Sequence, residues 1–219
     1  MKVIIACESS EIVKEQFLLR GHDAHSCDLL PGEKGLPNHH QCDVLDLLRK
    51  YKGYFDLMIA HPPCTYLTVT GNKWFEPEFM TRFPDRVQRR VEAINFFMTL
   101  VAASIDKICI ENPVGIMSTL WRKPDQIIQP FQFGHTEAKK TCLWLKNLTN
   151  LRYGQAIQQA FGDNAIPSFT EIKEPEYVTF ASGKRMAKWY VDAAKGEDRA
   201  GIRSKTFQGI AEAMASQWG

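Results

Sequence analysis

The residues of this chain best suited to chemistry come in short clusters. The sharpest is His61-Pro62-Pro63-Cys64. Two consecutive prolines fix the backbone and remove two donors, so the chain leaves Ala60 along a defined path and presents a cysteine at its end. A thiol held there suits nucleophilic attack; the plain alternative is a small apolar residue packed in a turn. The second cluster is Glu111-Asn112-Pro113, a carboxyl group directly after the apolar run Ile108-Cys109-Ile110. Burying a carboxylate there is costly unless it is paired or working, and an exposed strand-end acid or a helix cap is the alternative. Three smaller features accompany these: the polar run Cys7-Glu8-Ser9-Ser10-Glu11, Asp28 and Asp43.

All of them follow segments that read as buried strands. Lys2–Ala6 is short, apolar and β-branched, and Asp23–Cys27, Phe55–Ala60, Ile108–Glu111 and Thr141–Leu145 are further strand segments. Helices are predicted over Ile12–Arg20, with serine N-caps and a terminating Gly21, and over Asp85–Ser104, where Val87, Val91, Ile94, Met98 and Val101 form an apolar stripe. A last helix is predicted within Lys205–Trp218. Strands alternating with helices predict a doubly wound α/β domain with a mostly parallel sheet. Ligands of such sheets bind outside the carboxyl ends of the strands, which is where each cluster falls.

With 219 residues the chain is long enough for one well-cored domain. Hydrophobic residues at 44% and charged residues at 24% exclude disordered and collagen-like classes. A net charge of +2 permits a polyanionic partner without indicating one. Six cysteines without a C-x-x-C pair fit reduced thiols in a cytoplasm. Cys27, His39, His40 and Cys42 lack paired-ligand spacing, so no metal is expected. The amino terminus turns polar too early for a secretory signal, and no apolar run is long enough to span a bilayer.

Taken in order, ACESSE, HSCDLLPGE, CDVLD, DLMIAHPPCTYL, IENP, FGHTEAKKTCLWL and SKTFQGIAEAMASQWG resemble the DNA cytosine-5 methyltransferase family, in particular its short bacteriophage-type members. The resemblance covers nearly the whole chain, and Pro-Pro-Cys followed by Glu-Asn at the next strand end is its specific part. It implies the Rossmann-like fold of S-adenosylmethionine-dependent methyltransferases, with S-adenosylmethionine as cofactor and DNA as partner. It implies that Cys64 adds to carbon 6 of a cytosine while Glu111, with a raised pKa, protonates ring nitrogen 3. Lys139 and Lys140 fall in the segment matching the family's arginine-bearing motif, where they would contact substrate. On the cofactor side the resemblance points to Cys7, Glu8, Ser9, Ser10, His61 and Pro62, with Asp28 on the ribose hydroxyls and Asp43 on the adenine amino group.

Two departures matter. The first loop, Ala6-Cys7-Glu8-Ser9-Ser10, lacks the family's phenylalanine and glycines, so the backbone must approach a ligand differently. The recognition region is also short. The chain divides into a catalytic core over 1–150, a reduced recognition or lid region over 151–203, and a C-terminal helix over 204–219 that returns to the core. The reduced region carries Lys184, Arg185, Lys188, Trp189, Tyr190, Lys195, Arg199 and Arg203, cations interleaved with aromatics that suit phosphates and an unpaired base or a solvated loop. Methylation of a free cytidine nucleotide and an inactive nucleic-acid-binding scaffold stand as alternatives. The expected setting is the cytoplasm of a bacterium or phage-infected cell, and the expected state a monomer.

Overall fold

The computed structural model describes residues 1–154, 171–195, 201 and 205–219. A seven-stranded sheet runs through the molecule in the order β3-β2-β1-β4-β5-β7-β6. Its strands are β1 (Lys2–Ala6), β2 (Asp23–Asp28), β3 (His39–Gln41), β4 (Leu57–Ala60), β5 (Lys107–Pro113), β6 (Gln126–Ile128) and β7 (Thr141–Lys146). The five from β3 to β5 pair in parallel, whereas β7 lies antiparallel to both β5 and β6. Helices α1 (Ile12–Leu19), α2 (Val44–Lys50), α3 (Pro77–Met80), α4 (Arg86–Val101), α5 (Met117–Leu120), α6 (Lys188–Ala193) and α7 (Gln208–Trp218) complete the main elements, with a hairpin of β8 (Tyr177–Thr179) and β9 (Arg185–Ala187).

The two-residue period of the strands divides the core between the faces of the sheet. Val3, Ile5, Leu57, Ile59, Cys109 and Leu143 meet α1 and α7 through Val13, Phe17, Ala211, Met214 and Trp218. Ile4, Ala6, Met58, Ala60, Ile108, Ile110 and Trp144 meet α4 through Phe97 and Leu100. Both faces being covered explains why β1, β4 and β5 read as unbroken apolar runs rather than alternating ones.

Two predicted details are corrected. The stripe on α4 holds only in part: Ile94, Met98 and Val101 pack against the core beside the fully buried Phe97 and Leu100, whereas Val87 and Val91 in the first turns are almost half exposed. The first turns of α4 instead set Arg86 and Arg90 against the ring of Phe75, with Arg90 Nε also donating to the Tyr66 carbonyl at 2.9 Å. Segment 66–75 therefore selects which face turns inward. The serines do not cap α1 either. Glu8 reaches forward to do so, its Oε1 accepting from Val13 N at 2.7 Å and its Oε2 from Lys14 N at 3.3 Å. A carboxylate at a helix N-terminus satisfies two orphan donors and complements the dipole.

Candidate active site

The strand order reverses between β1 and β4, and the crevice of a doubly wound sheet opens at such a point, beyond the carboxyl ends of the strands. Register decides what gathers there. Ala6, Ala60 and Ile110 are neighbours across β1, β4 and β5, so Cys7, His61 and Glu111 are the first residues past one level of the sheet. The His61 N–H donates to the Ala6 carbonyl at 2.9 Å, continuing the ladder one step beyond β4.

Here the two principal clusters meet. A hydrogen bond of 3.1 Å joins His61 Nδ1 to Glu111 Oε2, and both side chains are largely buried. Beside it, buried Asn112 donates from Nδ2 to the Pro62 carbonyl at 2.7 Å. Through that bond Asn112 clamps the turn that carries Cys64. The Cys64 carbonyl accepts from the N–H groups of Leu67 and Thr68, both at 3.0 Å, which closes the following turn. Cys64 is half-buried.

The charge state of Glu111 departs from the raised pKa expected of it. Burial pushes its carboxyl up, but the hydrogen bond and charge of His61, the charge of Lys139 and a hydrogen bond from Thr141 together hold it below the usual carboxylate range. Lys139 is thus placed where its charge is felt at Glu111; its Nζ also donates to the Lys205 carbonyl at 3.3 Å. Lys140, one residue on, is exposed.

The first loop solves the missing-glycine problem with strain. Cys7 and Glu11 adopt left-handed conformations, with φ of 60° and 56°, where a glycine would be comfortable. Burial, aided by the charges of Asp28 and then Asp43, raises the Cys7 thiol to about 12. Those aspartates therefore converge on Cys7 across the ends of β1 and β2. Asp28 Oδ1 accepts from Leu30 N at 2.9 Å, and Asp43 caps α2 by accepting from Leu45 N at 2.7 Å. Ser9 and Ser10 border the same loop, the Ser9 carbonyl accepting from Glu33 N at 2.9 Å and Ser10 Oγ donating to Glu8 at 3.3 Å. Glu8, expected at the cofactor, has its carboxylate turned to α1 and is only 5% exposed.

Sequence reasoning missed Glu11 and Lys14, which organise the rim of the crevice. Both are fully buried; Lys14 Nζ lies 2.5 Å from Glu11 Oε1 and donates to the Pro37 carbonyl at 3.0 Å. Glu11 Oε2 accepts from Lys34 N at 2.7 Å, and a Cβ on Gly32 would stand 2.7 Å from its carboxyl carbon. The signal was an i, i+3 Glu–Lys pair, indistinguishable in one dimension from a surface pair.

The expected nucleic-acid residues do not all stand free. The indole N–H of Trp189 donates to the Ala138 carbonyl at 2.9 Å, which ties α6 to the Lys139 segment. Lys188 pairs with Glu176 at 2.7 Å, Arg185 lies over Tyr177, and Lys184 is exposed on the hairpin turn. Arg199 and Arg203 lie outside the described residues. His39 bonds Ser26 and His40 bonds His25, both at 2.8 Å. Among the described residues no three histidine, cysteine or acidic side chains are grouped to hold a metal, and no helix is long and apolar enough to cross a membrane.

A seven-stranded sheet of this order, mostly parallel with helices on both faces, is a Rossmann-like α/β fold. No protein-family model matches the chain, and no curated protein does. Among solved structures, the chain is similar to a protein encoded within an E. coli prophage and described as a candidate DNA modification methyltransferase. The two share 13% identity at a TM-score of 0.42, over 80% of this chain and 52% of the other, so the chain spans about half the length of that protein.

Proposed function

We propose that this chain is a DNA cytosine-5 methyltransferase that uses S-adenosylmethionine and attacks its base through Cys64. The observation that carries the reading is the direct coupling of the Cys64 turn to Glu111-Asn112 through His61 and Pro62. A thiol and a carboxyl group brought to one crevice by separate strands are what covalent activation of a pyrimidine requires.

The fold and the donor set fit the cofactor. Asp28 ends β2 beside the crevice, and the backbone N–H it accepts occupies only one of a carboxylate's several acceptor sites, leaving capacity for ribose hydroxyls. Asp43 and the Cys7–Ser10 loop line the same side. Bound there, S-adenosylmethionine supplies an electrophilic methyl group. The protein's own part begins with Cys64, whose sulfur adds to carbon 6 and turns carbon 5 into a nucleophile. Glu111 and Asn112 hold the base edge and the thiol turn in register, and Lys139 adds positive charge near the developing anion. After methylation, loss of the carbon 5 proton and expulsion of the Cys64 sulfur restore the ring. A duplex substrate would have to present its cytosine flipped out of the stack. The exposed cations Lys140, Lys184 and Arg185 are the residues to which we assign phosphate contact.

The test is transfer of radiolabelled methyl to duplex DNA, single-stranded DNA and deoxycytidine monophosphate in parallel. Label mapping to 5-methylcytosine in DNA, abolished by Cys64→Ser with cofactor binding retained, is the expected result. Label confined to the nucleotide would move the substrate class to free nucleotides. A fully active Cys64→Ser protein would exclude the covalent mechanism.

A further inference from the structure

Glu111 meets the reaction in the wrong charge state. Its carboxyl is held below the usual range, so at neutral pH it is an anion, and an anion has no proton to give ring nitrogen 3. The nearest ionisable donor bonded to it is His61, at 3.1 Å. The imidazole is unusual in a second respect: its other nitrogen, Nε2, is buried and has no partner among the described residues. A histidine kept for packing or for anchoring the turn would normally be satisfied at both nitrogens. Here the one bond the ring makes is to Glu111.

The surroundings suit a group that carries a transferable proton. Glu8, almost fully buried on the loop after β1, feels the positive charge of His61, while Glu111 faces the ring from β5. Lys139 and Thr141, from β7 and the segment before it, act on the far side of Glu111. The histidine is thus bonded to one buried carboxyl group, the one that contacts the base in the proposed reaction, and its charge is felt at a second.

We propose that His61 is the proton reservoir for Glu111: a positioning residue that recharges the acid without itself touching the base. The proposal rests on the cytosine-5 reading. The Glu111 carboxylate first takes the proton of His61 Nδ1, and as the Cys64 thiolate bonds carbon 6 the carbon 5–carbon 6 π pair moves into the ring and nitrogen 3 takes that proton from Glu111, leaving a carboxylate and a neutral imidazole. After methyl transfer a solvent water takes the carbon 5 proton, the C–H pair re-forms the carbon 5–carbon 6 double bond as Cys64 leaves as a thiolate, and the proton on nitrogen 3 returns through Glu111 to Nδ1. No external oxidant, reductant or further acid is needed.

His61→Asn separates proton supply from hydrogen bonding, because the asparagine amide nitrogen can take the place of Nδ1 and still donate to Glu111. In single-turnover methyl transfer to DNA, this variant is expected to lose about 10²-fold or more in rate. The loss should persist at saturating S-adenosylmethionine and DNA, as expected when proton supply rather than binding is impaired. His61→Ala, which leaves a ring-sized space, should be partly rescued by added imidazole. A His61→Asn enzyme with the wild-type rate would overturn the relay alone, as would a His61→Ala enzyme that added imidazole does not rescue. Wild-type protein that methylates no cytosine substrate would overturn the underlying reading instead.

Discussion

At the scale of single residues, the site is governed by what burial does to two acids. Glu8 is pushed up by desolvation, only partly offset by His61 and by its bonds to the start of α1. Glu111 is buried too, yet His61, Lys139 and Thr141 pull it the other way. The opposite signs have opposite consequences for stability. A carboxyl whose folded pKa is lowered binds protons less tightly when folded, so its contribution is present above its unfolded pKa and lost as pH falls through the folded value. We therefore expect Glu111→Gln to lower the melting temperature at neutral pH, with the gap from wild type narrowing on acidification below the ordinary glutamate range. A gap that widens in acid would show that His61 and Glu111 are not paired in solution. Methyl transfer by the same variant should fall with the chemical step.

At the scale of elements, the crevice is only as firm as the loop over 29–37, and Glu11 holds that loop. Its carboxylate accepts from the backbone of Lys34 and lies against Lys14, with Gly32 tucked so close that no side chain fits. Removing one partner of a buried ion pair leaves an uncompensated charge and typically costs about 3–5 kcal/mol. Lys14→Met should fall near the lower end, since backbone N–H groups still serve Glu11, and denaturant unfolding would measure it. A midpoint equal to wild type would mean that the pair contributes nothing net. Much of this was legible locally: β1, the Gly21 stop of α1 and the break after β4 follow from residue type alone. The face of the first turns of α4 was not legible, because two arginines replace the valines inward only once Phe75 and Tyr66 arrive from a preceding segment. The cap of α1 was missed for a similar reason: Glu8 lies outside the short window in which N-caps are read.

At the scale of the molecule, α7 closes the sheet's second face and joins the chain's end to its beginning. Met214 and Trp218 pack in one cluster with Val13 and Phe17, and the Trp218 indole N–H donates to the Thr149 carbonyl at 2.9 Å. Gly209 is where this helix meets the turn over Pro130–Phe133: a Cβ there would stand 1.9 Å from the Phe133 carbonyl oxygen, while its N–H donates to His135 Nε2 at 2.9 Å. Gly209→Ala should therefore lift α7 from the turn and destabilise the fold by about 1–3 kcal/mol, the usual cost of overpacking. An unchanged melting temperature would mean the turn yields freely. Because Lys139 and Trp189 both lie against Phe207, the residue at which α7 begins, we also expect weaker methyl transfer in this variant.

The amino-acid sequence by itself determined the alternation of strands and helices, the rigid cysteine turn and the acids at strand ends, because period, proline and glycine act within a few residues of themselves. It could not determine that β7 enters between β5 and β6, that the first turns of α4 turn arginines inward, or that the partners of buried Glu111 outweigh its desolvation and lower its pKa. Those outcomes depend on groups far apart in the chain: His61 and Glu111 are 50 residues apart and meet only through the register of β4 and β5. Charge state follows from burial and partners, and both exist only once the sheet has closed.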